Sequence, residues 1–235
     1  MSIAIRQQKL FVSTVREQGI TFQFDAPTVS GNGVIFMVAC GNSSQRLAAS
    51  TTSSGAIMIA LRDSGSLDTG GWVNSAWGLW DALGAQSFNF TMSAGYTGKW
   101  VIVGYELTGF EGEAQFVSGE AYVTAAHTTS VETSVNTTPE MQANGGMLFS
   151  SFGVANFNAA PIFTPTHGET EDADVYPASS YNFWSSRRAL PSAAQLEYSG
   201  MSWASGSKAS GCTVIVAAAS AQEVAGRRAL FMAGD

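Results

Sequence analysis

The stretch Val34-Ile-Phe-Met-Val-Ala-Cys40 decides the fold, because it is apolar throughout and has a glycine on either side. Short runs that are apolar on both faces are typical of strands in the middle of a sandwich. Three more runs share this character, at residues 56–61, 100–103 and 213–216. The sequence therefore predicts central strands that are buried on both faces.

Other segments alternate between apolar and polar residues, which is typical of half-buried strands. They lie at residues 20–24, 87–92 and 195–198, and helical periodicity is scarce throughout the chain. Turn-forming Gly, Ser, Thr and Asn clusters recur roughly every ten residues, which favours a sandwich or barrel over alternating strands and helices. We predict an all-β fold, an antiparallel β-sandwich of the jelly-roll type.

The chain also contains a weak internal repeat, which predicts two pseudo-repeated halves. Four matches share one offset of 113 residues: Gly33–Phe36 with Gly146–Phe149, Phe90 with Trp203, Gly98 with Gly211, and Val101–Val103 with Val214–Val216. We place an N-terminal arm and first strand at residues 1–19, and halves at about 20–127 and 128–220. The halves form either two tandem sandwiches or one interleaved domain. Because no Pro-rich or charged linker divides the chain, we favour a single sandwich over residues 20–235, with the best breakpoint at 128–144.

Composition and charge argue against several classes of partner. Charged residues make up 12 % of the 235 residues, and the net charge is −7. An acidic chain repels phosphate backbones and anionic lipids, so we expect neither nucleic acid nor a membrane as partner. The N-terminus lacks the pattern of a secretory signal peptide, and no run approaches 18 apolar residues. We expect synthesis in the cytoplasm.

Enzyme motifs are absent from the sequence. The two histidines, His127 and His167, lie forty residues apart and outside any metal-binding motif. The segment Gly200-Met-Ser-Trp-Ala204 lacks the last glycine of a nucleophile elbow. The pairs Glu111/Glu113 and Glu169/Glu171 do not match the spacing of sandwich-fold glucanases, so solvated acidic turns are the better interpretation. We predict a protein without catalytic residues or cofactor.

Two features leave alternatives open. The segment 167–174 concentrates potential oxygen ligands, so Glu169, Asp172 and Asp174 form a weak calcium candidate, although a charge-solvated loop is the first interpretation. Cys40 and Cys212 each lie in an apolar run. Buried free thiols are the first interpretation, and a Cys40 to Cys212 bridge is the alternative.

Aromatic and basic residues are the candidates for contacts with partners. Trp72, Trp77 and Trp80 fall within nine residues, and an indole on a loop can pack in the core, anchor another subunit or stack on a sugar. If the segment is extended, Trp77 and Leu79 share one face and Gly78 and Trp80 share the other, so that one face packs in the core and the other is left for a partner. In the second half, Arg187 and Arg188 are placed to meet an acidic neighbour.

Both chain ends are predicted to take part in assembly. Ile3 and Ile5 alternate with polar or small residues, as in a β-arm that adds to the exposed sheet edge of a neighbouring subunit. The segment Arg227-Arg-Ala-Leu-Phe-Met232 is a short apolar run next to charge. We predict contacts between subunits at both ends.

The phrase Trp100-Val-Ile-Val-Gly-Tyr-Glu-Leu-Thr-Gly109 resembles a strand and turn of jelly-roll virion proteins from tailed bacteriophages and gene transfer agents. The resemblance extends loosely over residues 30–220. It implies a decoration, spike or fibre-base subunit, located in the virion, that contacts copies of itself and other virion proteins. The alternative function is a carbohydrate-binding module for a host glycan, using the segment from Trp72 to Trp80.

Overall fold

A computed structural model describes residues 2–41, 47–52, 56–66, 72–92, 95–109, 116–123, 128–155, 162–178, 181–192 and 196–219. This part of the chain is nearly all β, with antiparallel sheets packed face to face and one short helix. The predicted all-β sandwich is confirmed. No helix among the described residues is long and apolar enough to cross a membrane.

The first eight strands form two sheets. The strands are β1 (Ala4–Val12), β2 (Gly19–Gln23), β3 (Gly33–Gly41), β4 (Leu47–Thr52), β5 (Ile59–Ser66), β6 (Trp72–Leu79), β7 (Ser87–Met92) and β8 (Lys99–Thr108). Five of them pair in the order β1-β8-β3-β6-β5, and the other three in the order β2-β7-β4. The buried run that opened the sequence is β3, and β8 and β6 flank it on both sides.

The remaining strands form the second pair of sheets. They are β9 (Phe116–Val123), β10 (Thr128–Asn136), β11 (Gly146–Ala155), β12 (Thr164–Pro165), β13 (Thr170–Ala178), β14 (Tyr181–Leu190) and β15 (Leu196–Ala217), with helix α1 (Pro139–Asn144) after β10. The early residues of β15 pair with β10 and β12. Its later residues pair with β9 and β11, and β14 and β13 follow beyond β11. One long strand therefore serves two sheets.

The hydrophobic clusters show four β-layers. A central core joins the five-stranded sheet of the first half to β11, β13, β14 and the later part of β15 in the second. A phenylalanine-rich cluster fills the space between the five-stranded and three-stranded sheets. Two smaller clusters lie between the β11–β14 sheet and the layer of β10 and early β15. Each half is thus a two-layer unit, and the larger sheets of the two halves pack against each other.

The central core contains direct links between the two halves. The rings of Trp72 and Tyr181 stack with centroids 4.1 Å apart. The Tyr181 hydroxyl donates to Asn74 Oδ1 at 3.2 Å, and the Tyr105 hydroxyl donates to Asp172 Oδ2 at 2.7 Å. Burial raises the pKa of both tyrosines, with hydrogen bonds opposing the shift, so both hydroxyls keep their protons and act as donors.

The expected breakpoint at 128–144 is wrong, because that segment contains β10 and α1. Strand β9 already pairs with β15 of the second half, so the change from one half to the other falls between Thr108 and Phe116. The arm expected at residues 1–19 is also part of the first half, because β1 pairs with β8. Segments that follow each other in sequence cannot be assigned to a sheet until their pairing partners are known.

Residues matched at the offset of 113 face the same core in some strands and different cores in others. Val101 and Val214 both face the central core. Phe36, however, faces the phenylalanine-rich cluster, whereas Phe149 faces the central core. Because strand side chains alternate with a period of two, one residue of slip turns a matched position to the opposite face.

Both cysteines are buried thiols that form no disulfide. Cys40 packs in the phenylalanine-rich cluster and Cys212 in the central core. The five-stranded sheet lies between these clusters, which excludes the bridge considered from the sequence.

Candidate functional site

The predicted tryptophan loop is a strand, and two of its tryptophans are buried. Trp72 is 4 % exposed and Trp77 is 7 % exposed, because β6 lies between β3 and β5 and is covered on both faces. Trp77 and Leu79 do share one core-facing side, as the extended interpretation expected. Trp72 and Trp77 therefore pack in the core, as the first of the three interpretations has it, and the expected contact of these two residues with a glycan or a subunit is wrong.

Trp80 follows β6 and is 38 % exposed. It begins a loop of residues 80–86 that lies beside a second loop, residues 24–32, between β2 and β3. Leu83 is 61 % exposed and Val29 is 45 % exposed. We call the exposed apolar side chains of these two loops, Val29, Trp80 and Leu83, the loop-pair patch.

Hydrogen bonds join the two loops along their length. Thr28 donates through its backbone nitrogen and its hydroxyl to the Ala85 carbonyl, at 3.2 and 2.7 Å. The Ala82 nitrogen donates to the Asn32 carbonyl at 3.0 Å. The Asp81 carboxylate accepts from the nitrogen of Gly31 at 2.9 Å, which places a side chain of one loop on the backbone of the other. The loops therefore form one unit.

A buried carboxylate fixes the loop of residues 24–32 to the sheet. Glu106 is fully buried in β8. One of its oxygens accepts from the Val29 nitrogen at 2.8 Å and Asn32 Nδ2 at 2.6 Å. The other accepts from Arg6 Nη1 at 2.5 Å and Gln7 Nε2 at 2.6 Å. Burial by itself would raise the pKa of Glu106, but these donors outweigh it and lower the pKa below its ordinary value.

Leu83 holds a backbone conformation that side chains usually avoid. Its φ is +49°, in the left-handed region, and the next residue, Gly84, is at +74°. A left-handed leucine costs about 1–2 kcal/mol and persists only where its surroundings impose it. Here the Asp81 carboxylate accepts from the Leu83 nitrogen at 2.8 Å. Because backbone strain of this kind clusters at functional sites, a strained and exposed leucine makes the loop a candidate for a contact.

Ile3 and Ile5 do not form a free arm. Ile3 is 7 % exposed in the central core, and Ile5 packs against that core. Strand β1 adds to the edge of β8 in its own chain, so the sheet edge expected on a neighbouring subunit is intramolecular.

Arg187 and Arg188 find their acidic neighbours within the chain. Arg187 forms an ion pair with Asp172 and donates to Gln8 Oε1 at 2.9 Å. Arg188 forms an ion pair with Glu197 at 2.9 Å. The expected role in a partner contact is therefore replaced by links between strands.

The calcium candidate is not assembled, because its three carboxylates have separate protein partners. Glu169 accepts from the nitrogens of His167 and Gly200, at 2.9 and 3.0 Å. Asp172 contacts Arg187, and Asp174 accepts from Asn182 at 2.8 Å. In the described ranges, no three His, Cys, Asp or Glu side chains are grouped to hold a metal ion.

Three of the residues that form the site were not singled out from the sequence. Val29 and Leu83 are single apolar residues in loops, with no local signal. Glu106 had one: it is the only charge within a run of apolar residues from 100 to 107. A charge at such a position requires buried donors, which sequence alone does not identify.

Other sequence candidates lie outside the described residues: Glu111, Glu113, His127 and the segment 227–232. Comparisons of the chain with protein-family models, curated proteins and solved structures find no match. The resemblance to virion proteins therefore stays a prediction.

Proposed function

We propose that this protein is a structural subunit that works through protein–protein contacts, and that the loop-pair patch is its principal contact. The observation that carries this proposal is an exposed apolar patch on two ordered loops. A buried carboxylate and several hydrogen bonds between the loops fix their positions. Contacts that form on a prearranged surface lose less conformational entropy than contacts on mobile loops. Tryptophan is also among the residues that most often dominate binding energy.

The strand order supports the finer proposal that each half is a jelly roll. In the first half β1-β8-β3-β6 lies opposite β2-β7-β4, so the last strand inserts between the first and the third. That order is expected for a jelly roll built from two Greek keys, and viral capsid proteins use this architecture. Together with the resemblance of residues 100–109, it favours a subunit of a phage or phage-like particle, contacting copies of itself and other virion proteins.

Sedimentation velocity over a range of protein concentrations tests the proposal. The wild-type chain is expected to self-associate, and Trp80→Ala combined with Leu83→Asn is expected to keep it monomeric. Ile162→Ala is the matched control, because Ile162 is 85 % exposed but lies far along the chain in the second half. A wild type that stays monomeric at all concentrations, or a double variant that associates like the wild type, would contradict the proposal.

A carbohydrate-binding function is the second candidate, and one observation favours it at a new position. Tyr198 is 38 % exposed on the outer face of β15, and its ring stacks on His167 with centroids 5.8 Å apart. His167 Nε2 lies 2.6 Å from Glu132 Oε2. An aromatic face beside polar groups suits a sugar ring. A glycan array tests this candidate. If neither the wild type nor Tyr198→Ala binds any glycan on the array, the candidate is removed.

A further inference from the structure

The interior of the second half contains a layer of buried hydroxyl groups. Such residues on β10, β11, β14 and β15 lie between or beside the two hydrophobic clusters of that half. On β10, for example, Thr133 lies between Val131 and Val135. All members of the layer are fully buried: Thr133, Ser150, Ser186, Ser199 and Thr213. The corresponding space in the first half is filled by phenylalanine rings in contact.

Three of these hydroxyls form a continuous chain across the two sheets. Ser150 and Thr213 are 2.9 Å apart, and Thr213 and Thr133 are 2.5 Å apart. The Thr133 hydroxyl also donates to the Ser199 carbonyl at 3.3 Å. Each hydroxyl has a single proton, and Thr133 uses its proton in the bond to the Ser199 carbonyl. Thr133 must therefore accept from Thr213, and Thr213 must in turn accept from Ser150. The Ser150 oxygen is left free to accept.

At each end of this series of hydrogen-bonded hydroxyls lies one more serine that does not join it. Ser186 lies directly opposite Ser150 in the β11–β14 pair, and Ser199 lies directly opposite Thr133 in the β10–β15 pair. Within the described residues, neither the Ser186 nor the Ser199 hydroxyl has a hydrogen-bond partner, and Arg188 Nε has none either.

The contacts of Arg188 relate the positions of these three atoms. Arg188 and Ser186 are two residues apart on the same side of β14. Arg188 Nη2 donates to the Tyr198 carbonyl at 2.7 Å, which brings the guanidinium beside the backbone of Ser199. A buried polar atom without a partner costs about 1–3 kcal/mol, so a group that bridges the three atoms would stabilise the fold.

We propose that an ordered internal water binds between Ser186, Ser199 and Arg188 and closes the hydroxyl layer. Water can accept from Arg188 Nε and exchange hydrogen bonds with both hydroxyls, which gives the two to four polar partners that a buried water needs. An anion is the weaker choice, because Glu197 Oε2 already lies 2.9 Å from Arg188 Nη2 and balances its charge.

Urea unfolding of Ser186→Ala and Ser199→Ala tests the water site. A bound water loses a partner in each variant, so both are expected to unfold at lower urea than the wild type. The double variant is expected to lose less than the sum of the two, because both act on one water. Ser202→Ala is the control, since Ser202 lies on the same strand but points outward, and it should unfold like the wild type. Unpartnered hydroxyls without water would give the opposite result, with both single variants unfolding at the wild-type midpoint or above it.

A high-resolution crystal structure of the full chain gives the direct readout. A solvent peak within hydrogen-bond distance of Ser186 Oγ, Ser199 Oγ and Arg188 Nε supports the site. Density for side chains that instead bond to protein atoms, with no solvent peak between them, overturns it. Density too strong for water at the same position would show a bound ion and would also overturn it.

Discussion

At the scale of single residues, Glu106 connects the sequence to the candidate site. Its carboxylate ties two residues of β1 and two residues of the 24–32 loop to β8. Hydrogen bonds to a charged group contribute roughly 1.5–3 kcal/mol each when they are buried. The loop that presents Val29 is therefore ordered by a charge in the core of the first half.

Replacing this carboxylate should loosen the loop and destabilise the fold. Glu106→Gln keeps the shape but puts an amide donor among groups that already donate, so we expect a loss of about 2–3 kcal/mol in the free energy of unfolding. Urea unfolding at neutral pH measures the loss. Glu17→Gln is the control, since Glu17 lies outside this network. Equal stability of Glu106→Gln and the wild type would show that the four bonds do not hold the loop.

The same carboxylate predicts a pH dependence. The pKa of Glu106 is lowered in the folded chain from its ordinary value of 4.5, so the unfolded chain binds the proton more readily. Its stabilisation is complete above the ordinary pKa and is lost as the pH falls through the lower folded value. Asp174 has an effect of opposite sign on the pH dependence of stability, because burial raises its pKa. This effect is the same in the wild type and in Glu106→Gln, so it cancels in the difference between them. The stability difference between wild type and Glu106→Gln should therefore shrink on acidification, and urea midpoints from pH 7 to 3 measure it. A difference that stays constant or grows would contradict the lowered pKa.

A substitution at Leu83 separates the effect of this residue on stability from its effect on self-association. Because its backbone is left-handed, Leu83→Gly should relieve strain, and the greater freedom of glycine in the unfolded chain offsets part of that gain. We expect the free energy of unfolding to stay within about 1 kcal/mol of the wild type while self-association weakens. Thermal unfolding and sedimentation velocity measure the two. A large loss of stability would mean that Leu83 supports the fold rather than a contact.

At the scale of elements, the sequence predicted strands better than it predicted their partners. The apolar run of β3 and the alternation in β2 and β7 are visible locally, because burial on two faces or on one leaves a periodic trace. The partner of β1 leaves none, since any free sheet edge accepts an alternating strand. The burial of β6 was not predictable either. Its two polar residues, Asn74 and Ser75, interrupt the apolar pattern that is typical of a strand covered on both faces.

Removing β1 should therefore reduce stability as well as any association. Deletion of residues 2–12 exposes the edge of β8, removes Ile3 from the central core and takes away two donors to Glu106. We expect a loss of more than about 3 kcal/mol, since one fully buried isoleucine alone contributes about 1.5–3 kcal/mol. Urea unfolding of the shortened chain measures it. Unchanged stability together with lost association would restore the interpretation of β1 as an arm for a neighbouring subunit.

At the scale of the whole molecule, the central core makes the two halves depend on each other. It combines residues from both larger sheets, and the Trp72–Tyr181 stack lies within it. The repeat in the sequence suggested related halves, but it contained no information on how they pack, because that depends on which faces are buried together. The loop-pair patch was not predictable for the same reason, because residues 29, 80 and 83 lie on two loops that are joined only after folding.

Trp72→Ala should expose this dependence. Large-to-small changes at a buried tryptophan cost about 3–5 kcal/mol. We expect one cooperative unfolding transition in the wild type and a single transition at lower temperature in the variant. Differential scanning calorimetry measures both. Two separated transitions in the wild type would show that the halves unfold independently.

Hydrogen–deuterium exchange at low and high protein concentration is the measurement that tests assembly through the loop-pair patch most directly. The wild type is expected to gain protection at high concentration in residues 24–32 and 80–86, and the Trp80→Ala, Leu83→Asn variant is expected to gain none. Protection that is unchanged in both loops, or that increases only on other surfaces, would contradict assembly through this patch.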